Sequence, residues 1–382
     1  MRLTDCHNID DFRALAKRRL PWPVFDYIDG AGDDEVTRRR NRAAFDDCDL
    51  VPRVLAGVEN VDMSVTVMGR RMAMPLFLSP TALQRLFHWQ GERAVVRAAE
   101  RFGIYAGISS LSTVSIAEVG AMTSAPKLFQ LYVHKDEGLN AAMIDACKAA
   151  QFDALALTVD TIVGGNRERC LRSGFTSPPR FTARNALSYA AKPGWGLNYL
   201  FREPFSLPNL ATHVAEGSSV PKSVADYFTT MLDQSLDWKR AEAIRKQWDG
   251  PFCLKGVMAV EDARRAVDIG ATAIMVSNHG GRQLDGGRAP FDAIAEIADA
   301  VGGQIEIICD GGITRGTHVI KALSAGATAC SGGRLYLYAL AAAGQAGVER
   351  AVSLLEAELV RGMKLMGARS IADLSRDNLR WR

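Results

Sequence analysis

Apolar and polar positions alternate regularly along most of the chain. Eight short runs are almost continuously apolar, which is typical of parallel strands covered on both faces. They lie at residues 75–80, 103–109, 127–133, 154–160, 251–256, 273–278, 306–311 and 327–333. Between them, apolar residues recur three and four positions apart, which predicts amphipathic helices. These helical segments are 91–101, 115–122, 137–150, 261–269, 290–301 and 317–325.

The alternation of strands and helices predicts the α/β class, built from right-handed βαβ units. Eight such units predict a closed (β/α)8 barrel, the TIM-barrel fold. A doubly wound open sheet is the alternative. It is disfavoured because no G-x-G-x-x-G sequence follows the first predicted strand.

The eight repeated strand–helix units do not account for the whole chain. We interpret residues 1–382 as a single domain made of an N-terminal extension (1–74), the barrel (75–366) and a C-terminal tail (367–382). The extension contains a predicted helix near 10–19 and a predicted hairpin over 64–75. An insertion at about 172–224 follows the fourth strand, and it is much longer than an ordinary loop of a barrel.

The composition narrows the class of protein. With 48% hydrophobic and 23% charged residues, the chain is an ordinary globular one with a core large enough for a cofactor. A net charge of +3 with dispersed basic residues argues against a nucleic-acid partner. Seven scattered cysteines without a C-x-x-C spacing argue against disulfides and against a metal site. Without a signal peptide or a long apolar run, a cytoplasmic location is expected.

The last two predicted strands end in a pattern that suits a phosphate. Active sites of such barrels lie at the carboxyl ends of the strands, and phosphates often bind after strands seven and eight. Asp310, Gly311 and Gly312 follow the seventh strand, and Gly333 and Arg334 follow the eighth. Glycines let backbone N–H groups approach an anion, and a guanidinium adds a charge-assisted contact. The simpler interpretation is that these glycines only form tight turns.

The middle strands end in a base, an acid and three cations. His279 titrates near neutrality and suits proton abstraction, and Asp160 is placed to stabilise its protonated form. Arg167 and Arg282 suit bidentate binding of a carboxylate, and a poorly solvated Lys255 needs an anionic partner. A single histidine is more often structural, but the convergence of unlike polar groups on one barrel mouth favours catalysis.

These motifs resemble one family over about residues 8–380. The chain is similar to the FMN-dependent L-2-hydroxy acid oxidases and dehydrogenases, and the most discriminating motif is Ser-Asn-His-Gly-Gly-Arg-Gln-Leu-Asp at 277–285. The supporting matches are Tyr-Ile-Asp-Gly at 27–30, Phe-Gln-Leu-Tyr-Val at 129–133, Leu-Thr-Val-Asp at 157–160, Leu-Lys-Gly at 254–256 and Asp-Gly-Gly at 310–312.

The resemblance implies a role for each matched residue. His279 takes the substrate proton, Asp160 stabilises the resulting imidazolium, and Tyr132 contacts the substrate hydroxyl. Lys255 stabilises negative charge on the flavin. The implied substrate-carboxylate contacts are Arg282, Arg167 and Tyr27. The implied FMN contacts also include Pro80, Thr81, Ala82, Ser109, Gln130, Thr158, Ser277, Asp310, Gly311, Gly312, Gly333 and Arg334.

The chain departs from the family pattern at two informative positions. Thr314 stands where the family often has an arginine, so the phosphate is expected to depend on Arg315 or Arg334. Leu111 stands where glycolate oxidase has a tryptophan, which opens the substrate pocket. We therefore expect oxidation of L-lactate to pyruvate. A mandelate-type substrate, a larger substrate such as a modified peptide, and a non-redox phosphate-binding barrel are the alternatives.

The insertion bears on the electron acceptor. Family dehydrogenases carry a comparable segment that docks on the inner membrane and passes electrons to quinone, whereas oxidases use oxygen. The insertion holds Tyr189, Trp195, Tyr199 and Phe201 among Arg180, Arg184, Lys192 and Arg202. Aromatic and basic residues suit a membrane interface, while a lid or a subunit contact is the alternative. The resemblance also implies a homotetramer.

Overall fold

Eight parallel strands pair in chain order and close into a barrel. The computed structural model describes residues 1–177, 179, 182, 185–211 and 230–382. The barrel strands are β4 (Leu76–Thr81), β5 (Ala106–Ser109), β6 (Lys127–Leu131), β7 (Ala154–Thr158), β8 (Phe252–Val257), β9 (Ala273–Ser277), β10 (Glu306–Asp310) and β11 (Ala329–Gly332). Nearly all of their residues are buried, which explains their continuous apolar character. The predicted (β/α)8 barrel is confirmed.

Helices cover the outside of the barrel, and six of them match the helical periodicity of the sequence. The helices described are α1 (Ile9–Arg19), α2 (Trp22–Asp29), α3 (Val36–Asp46), α4 (Glu92–Arg101), α5 (Ile116–Met122), α6 (Glu137–Ala149), α7 (Glu168–Ser173), α8 (Ala186–Ala190), α9 (Pro193–Leu200), α10 (Pro208–Ala211), α11 (Trp238–Trp248), α12 (Val260–Asp268), α13 (Pro290–Val301), α14 (Gly316–Ser324) and α15 (Arg334–Met366). The last of these is interrupted at Ala343 and Gly344, where the backbone leaves the helical region.

Two pairs of short strands lie outside the barrel, and one of them joins the two ends of the chain. Strands β2 (Val65–Val67) and β3 (Arg70–Met72) form the predicted antiparallel hairpin of the extension. Strand β1 (Cys48–Leu50) pairs antiparallel with β12 (Leu379–Trp381), so the C-terminal tail returns to the N-terminal extension.

A buried carboxylate fixes the N-terminal extension to the rest of the fold. Asp29, at the end of α2, is fully buried. It accepts hydrogen bonds from Arg13 Nε at 2.5 Å, Arg38 Nη2 at 2.9 Å, Arg169 Nη1 at 2.6 Å and Tyr338 Oη at 2.8 Å. Burial opposes ionisation, but the bond from Arg13 and the charge of Arg38 outweigh it and hold the pKa of Asp29 far below its usual value. One anion therefore joins α1, α2, α3, α7 and α15.

The insertion differs from the expectation for its aromatic residues. Tyr189 and Trp195 are buried, and Trp195 Nε1 donates to the carbonyl of Leu86 at 2.8 Å, so these rings pack on the barrel. Of the four aromatic residues, Phe201 is exposed as expected, together with Leu187, Leu197 and Leu200. Arg180 and Arg184 lie outside the described residues. Among the described residues, no helix is long and apolar enough to cross a membrane.

Candidate active site

The strand ends and the N-terminal extension enclose a cavity at the mouth of the barrel, which we call the active-site cavity. Most residues predicted from the sequence line it. They are Tyr27, Pro80, Thr81, Ala82, Ser109, Tyr132, Arg167, Lys255, His279, Arg282, Asp310, Gly311, Gly312, Gly333 and Arg334. Four more bond to this lining or belong to its strands, namely Gln130, Thr158, Asp160 and Ser277.

His279 is held between an acid and a phenol. Its Nδ1 lies 3.1 Å from Asp160 Oδ1, and its Nε2 lies 3.5 Å from the hydroxyl of Tyr132. The residue has a φ of 57°, a left-handed conformation that is uncommon outside glycine and often marks functional sites. The backbone N–H of His279 donates to Ser277 Oγ at 3.1 Å. These contacts fix the ring so that Nε2 remains the basic nitrogen.

The electrostatics of this pair suit a base at neutral pH. Burial lowers the pKa of His279, and Asp160 only partly opposes this effect. Burial also disfavours the charged form of Asp160, but the interaction with His279, which includes a hydrogen bond, and the charge of Lys255 outweigh it, so its pKa lies below the usual value. The carboxylate is therefore ionised while the imidazole is neutral.

A second buried acid holds Lys255. Its Nζ lies 2.6 Å from Asp310 Oδ2 and 3.0 Å from Ser277 Oγ. Asp310 also accepts hydrogen bonds from Ser277, Ser79 and Ser331, at 2.8, 2.5 and 2.8 Å. Burial opposes ionisation of Asp310, but Lys255 and the hydroxyls lower its pKa to about 2. Burial likewise disfavours the charged form of Lys255, and Asp310 raises its pKa regardless. The lysine is a fixed cation.

Two arginines face the same aromatic ring. The guanidinium carbons of Arg282 and Arg167 lie 4.8 and 5.9 Å from the ring centroid of Tyr27. Arg282 Nη1 donates to the carbonyls of Tyr27 and Gly30, at 2.6 and 3.0 Å. Burial and the charge of Arg167 lower the pKa of Arg282 to about 10. It therefore remains protonated at neutral pH, in a position where a bound anion would offset the crowding of like charges.

The two arginines predicted as phosphate contacts lie differently relative to the cavity. Arg315 forms an ion pair with Glu358 at 2.7 Å and lies outside the described lining of the cavity. Arg334 lines the cavity, and its three nitrogens donate to the carbonyls of Ile28, Gly280 and Gly30, at 3.0, 2.7 and 2.7 Å. In both cases, part of the guanidinium binds acceptors from distant parts of the chain.

The glycines at this end also have a packing role. A Cβ built on Gly312 would lie 1.9 Å from the carbonyl oxygen of Asn41 in α3, and its φ is +77°. Only glycine fits this close approach. Gly333 precedes α15 directly, so the positive end of that helix lies at the cavity as a phosphate site requires.

Sequence reasoning missed several supporting residues. Ser79 and Ser331 hydrogen-bond Asp310, and their signal was a polar residue in an otherwise apolar strand. Asn41 and Asn278 exchange side-chain amide bonds of 2.8 and 2.7 Å, which tie α3 to the loop before His279. No local pattern marks Asn41, because its partner lies far away in the sequence.

The polar groups around the cavity fit FMN. Gln130 Nε2 and Thr158 Oγ1 are buried without a hydrogen-bond partner among the described residues. Buried polar groups are nearly always paired in a complete protein, so these two require a ligand with polar edges. Ser109, which lines the cavity, donates to Gln130 Oε1 at 2.8 Å and fixes the amide so that its NH2 group remains available. The cation of Lys255 suits a ring system that gains negative charge.

Comparison with known proteins agrees with this chemistry. The family model described as FMN-dependent dehydrogenase matches residues 16–381. An L-lactate dehydrogenase of Vibrio parahaemolyticus is 41% identical over 97% of both chains. Among solved structures, the monotopic membrane protein (S)-mandelate dehydrogenase has a TM-score of 0.93 at 32% identity, covering 99% of this chain and 100% of that one. A lactate oxidase of Pediococcus acidilactici has a TM-score of 0.86 at 34% identity, covering 99% and 95%.

The Thr158→Val variant tests the fit to FMN. We expect FMN to bind about three- to tenfold more weakly, because one neutral hydrogen bond is lost. The unfolding midpoint of the flavin-free protein should not fall, since Thr158 Oγ1 has no partner among the described residues. Quenching of flavin fluorescence on reconstitution measures the affinity.

The matched control is Ser324→Ala. Its hydroxyl is also buried without a described partner, but it lies in α14, whereas Thr158 ends β7 and pairs with Lys255 of the cavity lining. This variant should bind FMN like the wild type. Equal FMN affinity of Thr158→Val and wild type would contradict the assignment.

Proposed function

Because the chain belongs to the family of FMN-dependent dehydrogenases, we propose that it oxidises L-lactate to pyruvate with His279 as the base. FMN is its cofactor, and the reaction is the oxidation of a 2-hydroxy acid. The observation that carries the proposal is the convergence of a neutral, acid-paired imidazole and two guanidiniums on one cavity. A 2-hydroxy acid has both a proton to lose and a carboxylate to bind.

The arginines position the substrate. A carboxylate matches the planar fork of a guanidinium, so Arg282 and Arg167 would bind it with charge-assisted hydrogen bonds. Arg282 is immobilised by the carbonyls of Tyr27 and Gly30, which limits its motion before substrate arrives. Positioning of this kind lowers the barrier because the reacting groups are already aligned.

His279 then accepts the proton. Nε2 is within hydrogen-bond reach of the Tyr132 hydroxyl, so the phenol and the base would both contact the substrate hydroxyl. Asp160 stabilises the imidazolium as it forms, as in other acid–histidine pairs. Bound FMN would supply the acceptor for the electron pair of the α-carbon. The residues that would hold it are Thr158, Gln130, Ser109, Lys255 and the glycines before α15.

The cavity constrains the side chain of the substrate less than it constrains the carboxylate and the hydroxyl. Leu111 is buried and lines the cavity, so the pocket wall there is aliphatic. L-lactate is preferred because relatives covering almost the whole chain are named L-lactate dehydrogenase. Likeness to (S)-mandelate dehydrogenase makes mandelate the second candidate.

We further propose that the insertion binds a membrane surface and that the electron acceptor is a quinone. Leu197, Leu200 and Phe201 are 58%, 66% and 77% exposed on or directly after α9, and together they form an apolar surface. Isolated exposed apolar residues are ordinary, but a cluster next to basic residues indicates an interface. Arg202 and Lys192 supply the basic residues. The single-domain division, the homotetramer and a cytoplasmic location remain predictions.

Anaerobic titration with hydroxy acids tests the proposed reaction. The flavin absorbance of the purified holoenzyme should bleach with L-lactate but not with D-lactate. Parallel titrations with (S)-mandelate and glycolate rank the substrates. If (S)-mandelate bleaches the flavin and L-lactate does not, the substrate is wrong, whereas no bleaching by any of the three rejects the reaction.

The pH profile tests the role of Asp160. For the wild type, kcat/KM should fall at acid pH as His279 becomes protonated, with a midpoint below the ordinary histidine pKa of about 6.5, because burial lowers the pKa of His279. In Asp160→Asn the anion that raises this pKa is lost. The acid limb should therefore move to lower pH, while the plateau should drop by about 10²–10⁴.

Asp299→Asn is the control for that profile. Asp299 is exposed and paired only with Arg376 among the described contacts, so this variant should keep the wild-type profile. A limb that moves to higher pH in Asp160→Asn, or a plateau that does not change, would be inconsistent with the assigned pair.

Membrane binding is tested on the exposed apolar surface. The double variant Leu200→Ser with Phe201→Ser should sediment much less with phosphatidylglycerol vesicles, because it removes buried apolar area from the interface. Leu365→Ser, at a position 70% exposed on α15, is the matched control and should sediment like the wild type. Equal sedimentation of all three proteins would exclude this face as the contact.

A further inference from the structure

A second cavity lies beside the active-site cavity, under the insertion. Its walls come from four parts of the chain: the end of α1, the segment after β4, α9 with the residues just before it, and α15. Its polar and aromatic side chains include Arg85, Phe87, His88, Trp89, Trp195 and Tyr199. The reaction proposed above assigns no role to this cavity.

The two cavities are close neighbours. Tyr27 lines the first and Phe87 lines the second, and their ring centroids lie 6.1 Å apart at an interplanar angle of 25°. On α15, Tyr338 lines the first and Ala341 lines the second. These residues are three apart, a rise of about 4.5 Å along a helix. The two cavities are therefore separated by one pair of aromatic rings, and on α15 by less than one helical turn.

The walls of the second cavity suit a flat, uncharged ring. Trp195 and Tyr199 stack with their centroids 5.1 Å apart and an interplanar angle of 9°. The guanidinium of Arg202 lies 4.7 Å from the ring centroid of Trp89. Flat aromatic surfaces of this kind bind planar ligands by stacking.

The cavity also contains two N–H donors. Arg85 is buried, and its Nη1 and Nη2 donate to the carbonyls of Pro204 and Glu203, but its Nε has no partner among the described residues. His88 Nδ1 accepts the backbone N–H of Gln90 at 3.3 Å, which places the proton of the neutral ring on Nε2. Burial lowers the pKa of His88 to about 4, so the ring is neutral at physiological pH.

The charges around the cavity are compensated or exposed to solvent, which favours a neutral ligand over an anionic one. The charge of Arg85 is compensated by Glu203 at 3.4 Å, and Lys192 Nζ donates to the carbonyl of Arg18 at 2.6 Å. Arg18 and Arg19 also line the cavity, but both residues are exposed. Arg85 Nε and His88 Nε2 are N–H donors among aromatic side chains, and a quinone ring has two carbonyl oxygens that accept from such donors.

We propose that the head group of a membrane quinone binds in this second cavity and receives there the electron pair removed from the hydroxy acid. The inference rests on the proposed function. The apolar surface of Leu197, Leu200 and Phe201 belongs to the same helix, or directly follows it, as the wall residues Trp195 and Tyr199. A quinone with an isoprenoid tail therefore reaches the cavity while its tail stays in the bilayer.

The overall reaction balances. The hydroxy acid loses two electrons and two protons as its C–H and O–H bonds break and its C–O bond becomes a carbonyl. The quinone gains two electrons and two protons as both of its carbonyls become hydroxyls. Two electrons and two protons leave the hydroxy acid and the same number reach the quinone, so the quinone is the only oxidant required, with bound FMN as the electron carrier that the family supplies.

Two glycines of α9 provide a test and its matched control. Gly194 lines the second cavity and Gly196 does not. The described residues leave open space within 4 Å of a Cβ built at either position. The two positions are about 200° apart around the helix. Gly194→Phe should therefore obstruct the cavity, while Gly196→Phe adds the same side chain elsewhere.

The measurements separate substrate oxidation from quinone binding. With ubiquinone-1 as acceptor, Gly194→Phe should raise KM roughly tenfold or more, since a clash opposes only this ligand. The rate of anaerobic flavin bleaching by L-lactate should equal that of wild type and of Gly196→Phe. Quenching of tryptophan fluorescence by ubiquinone-1 gives a readout that does not depend on turnover, because Trp89 and Trp195 line the cavity. This quenching should be weaker in Gly194→Phe than in the wild type, and unchanged in Gly196→Phe.

A second variant tests the donor directly. His88→Phe keeps an aromatic ring and removes Nε2–H, so KM for ubiquinone-1 should rise about three- to tenfold. An unchanged quinone KM in Gly194→Phe overturns the proposal, and reduced vesicle binding with an unchanged KM assigns the cavity to a lipid head group instead. If L-lactate fails to bleach the flavin, dithionite reduces it, and recovery of the absorbance on adding ubiquinone-1 still tests the site. No recovery in the wild type overturns the inference.

Discussion

The buried charge of Asp29 organises the mouth of the barrel. Burying a carboxylate away from solvent raises the free energy of the folded state strongly, unless its charge is compensated and its oxygens are hydrogen-bonded. Here Arg13, Arg38, Arg169 and Tyr338 supply both. Because these partners come from four different helices, the N-terminal extension can occupy only one position over the strand ends. Removing one partner would take away part of the hydrogen bonding or charge compensation of this buried carboxylate.

That position determines the active site. The helix that ends at Asp29 also carries Tyr27, whose ring lies beside Arg167 and Arg282. The carbonyls next to Asp29 immobilise Arg282 and Arg334. The guanidiniums are thus fixed by backbone acceptors, and they retain their charge for an anion. Burial and the charge of Arg167 lower the pKa of Arg282, and a bound carboxylate would relieve this crowding of cations.

The same region connects the two cavities. Tyr27 faces the active-site cavity and stacks near Phe87, which lines the second. The burial of Tyr189 and Trp195 has a matching consequence, because these rings anchor the insertion against the barrel and leave the leucines of α9 exposed. The proposed sites of substrate oxidation, quinone binding and membrane contact therefore lie along one side of the barrel.

The sequence alone determined the barrel and its strand positions and singled out His279 as the candidate base, because strand and helix periodicity is local and the motif around His279 is contiguous. It also predicted that Asp160, Arg282 and Lys255 meet, since strand ends of a closed barrel converge. Only the tertiary structure decided which partners the long polar side chains bind. Arg315 pairs with Glu358, Arg334 donates to three carbonyls, and Asp310 holds Lys255 with the help of Ser79 and Ser331. Each of these contacts joins residues that are remote in sequence, and a long polar side chain binds whichever acceptor the fold brings within reach.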